Sequence, residues 1–140
     1  MKQIVIDTNV LVAALRSRRG ASHRLLMLLG QGKFEINVSV PLILEYEDAG
    51  KRIASEAGLT YGDVDDILNY ICSVGRKRLI HFLWRPFLKD PQDDHVLELA
   101  VESESEFIVT YNVRDFSGSE QFGVHIVTPK QFLRVIGGLS

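Results

Sequence analysis

Short runs of consecutive β-branched residues alternate along the chain with stretches whose apolar positions recur every three or four residues. Lys2 to Asp7 contains Ile4-Val5-Ile6 without polar alternation, and reads as a strand covered on both faces. Helical spacing follows from Val10 to Leu15 and again from Ala21 to about Leu29, where Gly30 and Gly32 close it. Phe34 to Ser39 reads as a second strand. Pro41 suits the first position of a helix running to about Ala57, and Gly58 breaks it. Thr60 and Asp63 have the spacing of a capping box, ahead of a stripe of Val64, Ile67, Leu68, Ile71 and Cys72. Leu79 to Leu83 is expected as a third strand. Asp90-Pro91-Gln92-Asp93 opens a helix to about Ser103. Phe107 to Thr110 and Val124 to Val127 are the fourth and fifth strands, and Thr128-Pro129-Lys130-Gln131 starts a last helix ending at Gly137-Gly138.

The alternation has no linker, repeat or low-complexity stretch, so the expected fold is α/β: one domain over residues 1–140. Its central sheet of about five parallel strands carries helices on both faces. The length of 140 residues suits one domain with a single core. In such sheets ligands bind outside the carboxyl ends of the strands, and candidate chemistry is therefore sought there.

Composition excludes some classes. Hydrophobic residues at 46% and charged residues at 24% are ordinary for a globular domain, and no apolar run approaches a membrane span. The opening Lys2-Gln3-Ile4-Val5-Ile6 lacks the long apolar stretch and cleavage site of a signal peptide. Cys72 is the only cysteine, which leaves no intrachain disulfide or cysteine-rich zinc site and leads to the expectation of a reducing, cytoplasmic location. The net charge of −2 does not mark a nucleic-acid binder, but its distribution is uneven. Residues 1–52 hold eight Lys/Arg against five Asp/Glu, with Arg16, Arg18, Arg19 and Arg24 close together, whereas residues 90–106 hold seven acids and no Lys/Arg. Metal-holding acids beside a phosphate-binding rim would give this distribution, as would ordinary solvated faces.

Four acids follow the predicted strands in turn. Asp7 ends the first strand beside a run of Ile and Val, where a carboxylate is costly unless paired; capping the next helix is its structural alternative. Glu45 lies in the helix after the second strand, among Leu42, Ile43, Leu44 and Tyr46. Asp94 falls in the first turn after the third strand. Asp93 competes with it, although Asp93 has a structural role available in a capping box begun by Asp90. Asp115 follows the fourth strand. Two carboxylates about 5 Å apart repel by roughly 3 kcal/mol at an effective dielectric of 20, so four together call for a cation. Oxygen donors without a Cys or His cluster favour Mg²⁺ or Mn²⁺ over zinc, and such ions serve phosphodiester hydrolysis.

The same segments resemble a known family. Ile4-Val5-Ile6-Asp7-Thr8-Asn9-Val10-Leu11 resembles the opening motif of PIN-domain nucleases, and Val40-Pro41-Leu42-Ile43-Leu44-Glu45-Tyr46 is similar to their Glu-bearing helix. Asp90 to Ala100 resembles their third-acid helix, and Val109-Thr110-Tyr111-Asn112-Val113-Arg114-Asp115-Phe116 their fourth-acid segment. The likeness is strongest to the VapC-like toxins of toxin–antitoxin systems. It implies a sheet of order 3-2-1-4-5, Mg²⁺- or Mn²⁺-dependent endoribonuclease activity, frequent homodimers, and a cognate antitoxin whose tail fills the acidic groove. Carried over by position, Asp7, Glu45, Asp94 and Asp115 are the catalytic and metal-holding acids, with spacing to Leu97 and Ala100 placing Asp94 ahead of Asp93. Thr8, Asn9 and Asn112 would orient them. In-line attack on RNA phosphorus would leave 5′-phosphate and 3′-hydroxyl ends, with Arg16, Arg18, Arg19 and Arg114 as candidate phosphate contacts.

The remaining features carry less. His23, His81, His95 and His125 are dispersed, with His95 the one placed to act as a ligand or base. Trp84-Arg85-Pro86-Phe87 could stack nucleobases or pack a loop or a dimer contact. Three other readings compete. A haloacid-dehalogenase-type phosphatase needs a second Asp where Asn9 stands. A PIN module that has lost catalysis would bind RNA or protein only, and an RNA-processing PIN nuclease would act without an antitoxin.

Overall fold

The computed structural model describes residues 1–80, 88, 90 and 93–137. In chain order the elements are β1 (Lys2–Ile6), α1 (Thr8–Arg16), α2 (Ala21–Met27), β2 (Phe34–Val38), α3 (Val40–Ile53), α4 (Tyr61–Val74), β3 (Arg76–Lys77), α5 (Asp94–Glu102), β4 (Phe107–Val109), β5 (His125–Val127) and α6 (Pro129–Val135). Two 3₁₀ turns, Val113–Phe116 and Ser119–Phe122, lie between β4 and β5. The five strands form one parallel sheet of order β3-β2-β1-β4-β5, the architecture expected.

β1 is the central strand. Ile4, Val5 and Ile6 point alternately to opposite faces, yet none is more than 5% exposed, so both faces are covered. Phe132 of α6 packs edge-on to Phe34 of β2 and Phe107 of β4, with ring centroids 5.4 Å apart in each case. One aromatic thereby braces the strands on either side of β1. Both sequence-legible capping boxes form: Thr60 with Asp63 at α4, and Thr128 with Gln131 at α6. Gly75 ends α4 where an added Cβ would lie 2.9 Å from the Ile71 carbonyl oxygen and 3.0 Å from Ile36 Cγ2, so only glycine permits this approach to β2.

Several strand and helix ends differ from expectation by a residue or two, and three differences bear on the site or the sheet edge. The third strand is Arg76–Lys77; Leu79 and Ile80 are not in a strand, and residues 81–83 lie outside the described residues, as does Trp84 to Phe87. β3 is an edge strand with both residues exposed, so burial left no apolar signature on it; charged side chains are what such an edge favours. α3 begins at Val40, with Ser39 rather than its neighbour as the cap and Pro41 in the first turn, and it ends at Ile53. α5 begins only at Asp94. Asp93 is its cap residue, with helical backbone angles and no side-chain capping bond, and its N–H donates to the Asp90 carbonyl at 2.9 Å.

The register at the carboxyl edge positions the site. Ile6 pairs with Val109, and the Asp7 N–H donates to the Val109 carbonyl at 2.9 Å, which sets Asp7 beside Thr110 at the ends of β1 and β4. Tyr46, buried in α3, donates its hydroxyl to the Ile6 carbonyl and ties that helix to the same edge.

Candidate active site

Asp7 is both the cap of α1 and a buried carboxylate, 6% exposed. One oxygen accepts from the Thr8 N–H at 2.9 Å; the other accepts from Thr110 Oγ1 at 2.8 Å and Asn9 Nδ2 at 3.3 Å. Burial raises its pKa above the ordinary carboxylate range, against the opposing hydrogen bonds of Thr110 and Thr8; the Glu45 charge adds to the rise and His95 opposes it. The structural and functional readings of Asp7 are therefore compatible.

Thr8 links the first two acids. Its N–H holds Asp7, and its hydroxyl donates to Glu45 Oε1 at 2.8 Å. The other Glu45 oxygen is paired with His95 Nε2. Burial alone would raise the Glu45 pKa, but the hydrogen bonds from His95 and Thr8 outweigh it and the net shift is downward. Burial likewise works against a charged His95, yet the bond and charge of Glu45, with Asp7 and Asp93 behind it, raise the His95 pKa. Among the described residues, His95 Nδ1 is buried with no hydrogen-bond partner.

The two aspartates that open α5 occupy different surroundings. Asp94 is 6% exposed, and its Oδ1 accepts from the Leu88 N–H at 2.9 Å, which fastens the chain entering the helix. Asp93 is half-buried, and its pKa is pushed up to about 6 by burial and then by the charges of Asp7, Asp90, Asp115 and Glu45. Burial and the neighbouring carboxylates thus act in the same direction on Asp93. Asp115 reaches this group from the 3₁₀ turn after β4, half-buried.

Of the residues expected to orient the acids, Thr8 and Asn9 do so by the bonds above, and Asn9 Oδ1 also accepts from the Tyr111 N–H at 3.1 Å. Asn112 enters through its backbone: its N–H donates to Thr110 Oγ1 at 3.0 Å. Thr110 itself was overlooked from sequence. Fully buried, its hydroxyl donates to Asp7 and accepts from Asn9 and Asn112. The available signal was a polar residue closing an otherwise apolar strand, level with Asp7. The arginines divide: Arg16 pairs with Glu56 at 3.0 Å, Arg18 and Arg19 line an open cleft, and Arg114 is exposed beside Asp115.

Donor chemistry decides what ion this group suits. The groups at this edge are carboxylates, and hard divalent cations fit oxygen donors of that kind. Among the described residues no three His, Cys, Asp or Glu side chains already stand close enough to grip an ion together, so the fit is one of charge and donor type rather than of a finished cage.

Comparison with known proteins identifies a family. No curated protein matches the chain. A family model described as the PIN domain matches residues 3–114, well over half of the chain, and stops one residue short of Asp115. The chain belongs to the PIN-domain family, whose members are generally nucleases.

Proposed function

We propose that the protein is a metal-dependent endoribonuclease with Asp7, Glu45, Asp93 and Asp115 as its acidic centre. The observation that carries this reading is the hydrogen-bonded line Thr110–Asp7–Thr8–Glu45–His95 at the carboxyl edge of β1 and β4. We give Asp93 the third place ahead of Asp94, the residue that spacing favours, because Asp93 is half-buried whereas Asp94 is buried with Oδ1 on the Leu88 N–H; comparing the two Asn variants decides between them.

Asp7, Asp93 and Asp115 would hold Mg²⁺ or Mn²⁺, with Glu45 completing the set. When bound, such an ion supplies Lewis acidity at a phosphoryl oxygen and lowers the pKa of water. The chain's own groups do the positioning. Thr8, Asn9 and Thr110 fix the Asp7 carboxylate in one orientation. Thr8 and His95 hold Glu45 ionised, with an oxygen directed to each of them, where it can orient an attacking water. Hydrolysis joins the water oxygen to phosphorus and breaks the bond to the 3′ oxygen, giving 5′-phosphate and 3′-hydroxyl products.

The finer biology rests on the ordered four-segment resemblance: a VapC-like toxin, cytoplasmic, homodimeric, single-domain over residues 1–140, and silenced by a cognate antitoxin. Consistent with that, no described helix is long and apolar enough to cross a membrane. The decisive experiment incubates purified protein with mixed RNA in Mg²⁺, Mn²⁺ or EDTA, alongside Asp7→Asn and Asp93→Asn. Metal-dependent cleavage lost in both variants supports the proposal; cleavage that persists in both points to a contaminant and removes it. Growth arrest on expression, relieved by Asp7→Asn, tests the toxin role.

A further inference from the structure

We infer that the cleft between the α1–α2 connection and α6 is a track for the phosphate backbone of single-stranded RNA, joined to the acidic centre by Tyr111 as a base-stacking platform. The inference deepens the nuclease reading and rests on it. Arg18, Arg19 and Arg24 line this open cleft of about 510 Å³ from one side and Lys130 from the other, with His23 and the half-exposed Met27 between. No carboxylate is among its described lining residues. In a chain of net charge −2, four cations around one cleft form a local field that attracts a polyanion.

A line of hydrogen bonds links the helix that borders the cleft to the site. Ser22, in the α2 turn that carries His23 and Arg24, has its hydroxyl 2.6 Å from the Tyr111 hydroxyl. Tyr111 donates its N–H to Asn9, which donates to Asp7. Asn9, Tyr111 and Ser22 therefore connect the Asp7 carboxylate to the helix that carries His23 and Arg24. The Tyr111 ring is anchored at its hydroxyl yet 48% exposed, the arrangement of a platform that an unpaired base can cover. That exposed ring between acids and cations favours a single-stranded nucleic acid over an acidic peptide, which would use the cations alone.

Binding of a fluorescein-labelled oligouridine, read by anisotropy in EDTA so that no cleavage intervenes, tests the inference. The combined variant Arg18→Ala, Arg19→Ala, Arg24→Ala should weaken binding by about tenfold or more and flatten the salt dependence by about two units, since each phosphate contact to a single strand contributes about 0.7. Tyr111→Ala should weaken it by about tenfold and Tyr111→Phe much less. The combined Lys33→Ala, Arg52→Ala, Lys77→Ala variant, at exposed positions outside the cleft lining, is the charge-matched control. Affinity in the cleft variant equal to that of the control overturns the inference, as does polyglutamate binding as tightly as RNA. The nuclease reading is tested separately: if the wild-type protein with Mn²⁺ leaves the same RNA intact, that reading fails whatever the anisotropy shows, whereas cleavage with unchanged anisotropy removes only the track.

Discussion

Thr110 Oγ1 donates to Asp7 Oδ2 at 2.8 Å from a fully buried position at the end of the neighbouring strand. The bond sets the orientation of a carboxylate that burial would otherwise tend to protonate. Thr110→Val keeps the shape and removes the donor. It should cost about 1–3 kcal/mol of stability, as expected when a buried charged acceptor loses its partner, and slow RNA cleavage by about tenfold. Denaturant unfolding and cleavage rates measure both; a variant as active as the parent would remove the positioning role of Thr110.

The two α5 aspartates should separate cleanly. Asp93→Asn is expected to reduce cleavage by about a hundredfold or more while leaving stability equal or higher, because it relieves repulsion from Asp7, Asp90, Asp115 and Glu45. Asp94→Ala should instead cost about 1–3 kcal/mol by stranding the Leu88 N–H. If Asp94→Asn, which retains an acceptor for Leu88, abolishes cleavage in a stably folded protein while Asp93→Asn does not, Asp94 is the third acid.

Stability of the metal-free protein should carry the Asp93 titration. Its folded pKa of about 6 lies above the ordinary 3.8, so its favourable contribution is complete below about pH 4 and is lost as pH rises towards and through 6. With solvent screening at a half-exposed group the change is of order 1 kcal/mol. Asp93→Asn should flatten that decline in EDTA. Added Mn²⁺ should raise the melting temperature more at pH 7.5 than at pH 5, where protons compete for the carboxylate. Equal metal stabilisation at both pH values would count against Asp93 as a ligand.

The Glu45–His95 pair has the opposite sense for its acid. The lowered Glu45 pKa gives stability that is present above its ordinary 4.5 and lost as pH falls through the folded value; the raised His95 pKa gives stability present below its ordinary 6.5 and lost as pH rises through its folded value. His95→Ala removes the partner that keeps Glu45 ionised, so the acid limb of the pH–rate profile should move to higher pH. An unmoved limb would show that His95 does not act through Glu45.

The fold was largely legible because burial and local chemistry mark it on the chain. Ile4-Val5-Ile6 could only be a doubly covered strand, and the Thr60–Asp63 and Thr128–Gln131 boxes close within their own helices, so neighbours in sequence carried all the information needed. β3 escaped that logic, since an exposed two-residue edge strand is defined by its pairing with β2 rather than by any apolar signature. Asp7, Glu45, Asp94 and Asp115 were nominated as a set, one acid following each of the first four expected strands. What tertiary structure alone decided was who faces whom. Adjacent residues at the start of a helix point about 100° apart, so Asp93 is half-buried while Asp94 is buried with Oδ1 on the Leu88 N–H. The Thr110–Asp7 and His95–Glu45 pairs join residues 103 and 50 positions apart, and only the parallel register of β1 and β4 and the packing of α3 against α5 bring such distant groups within hydrogen-bond reach.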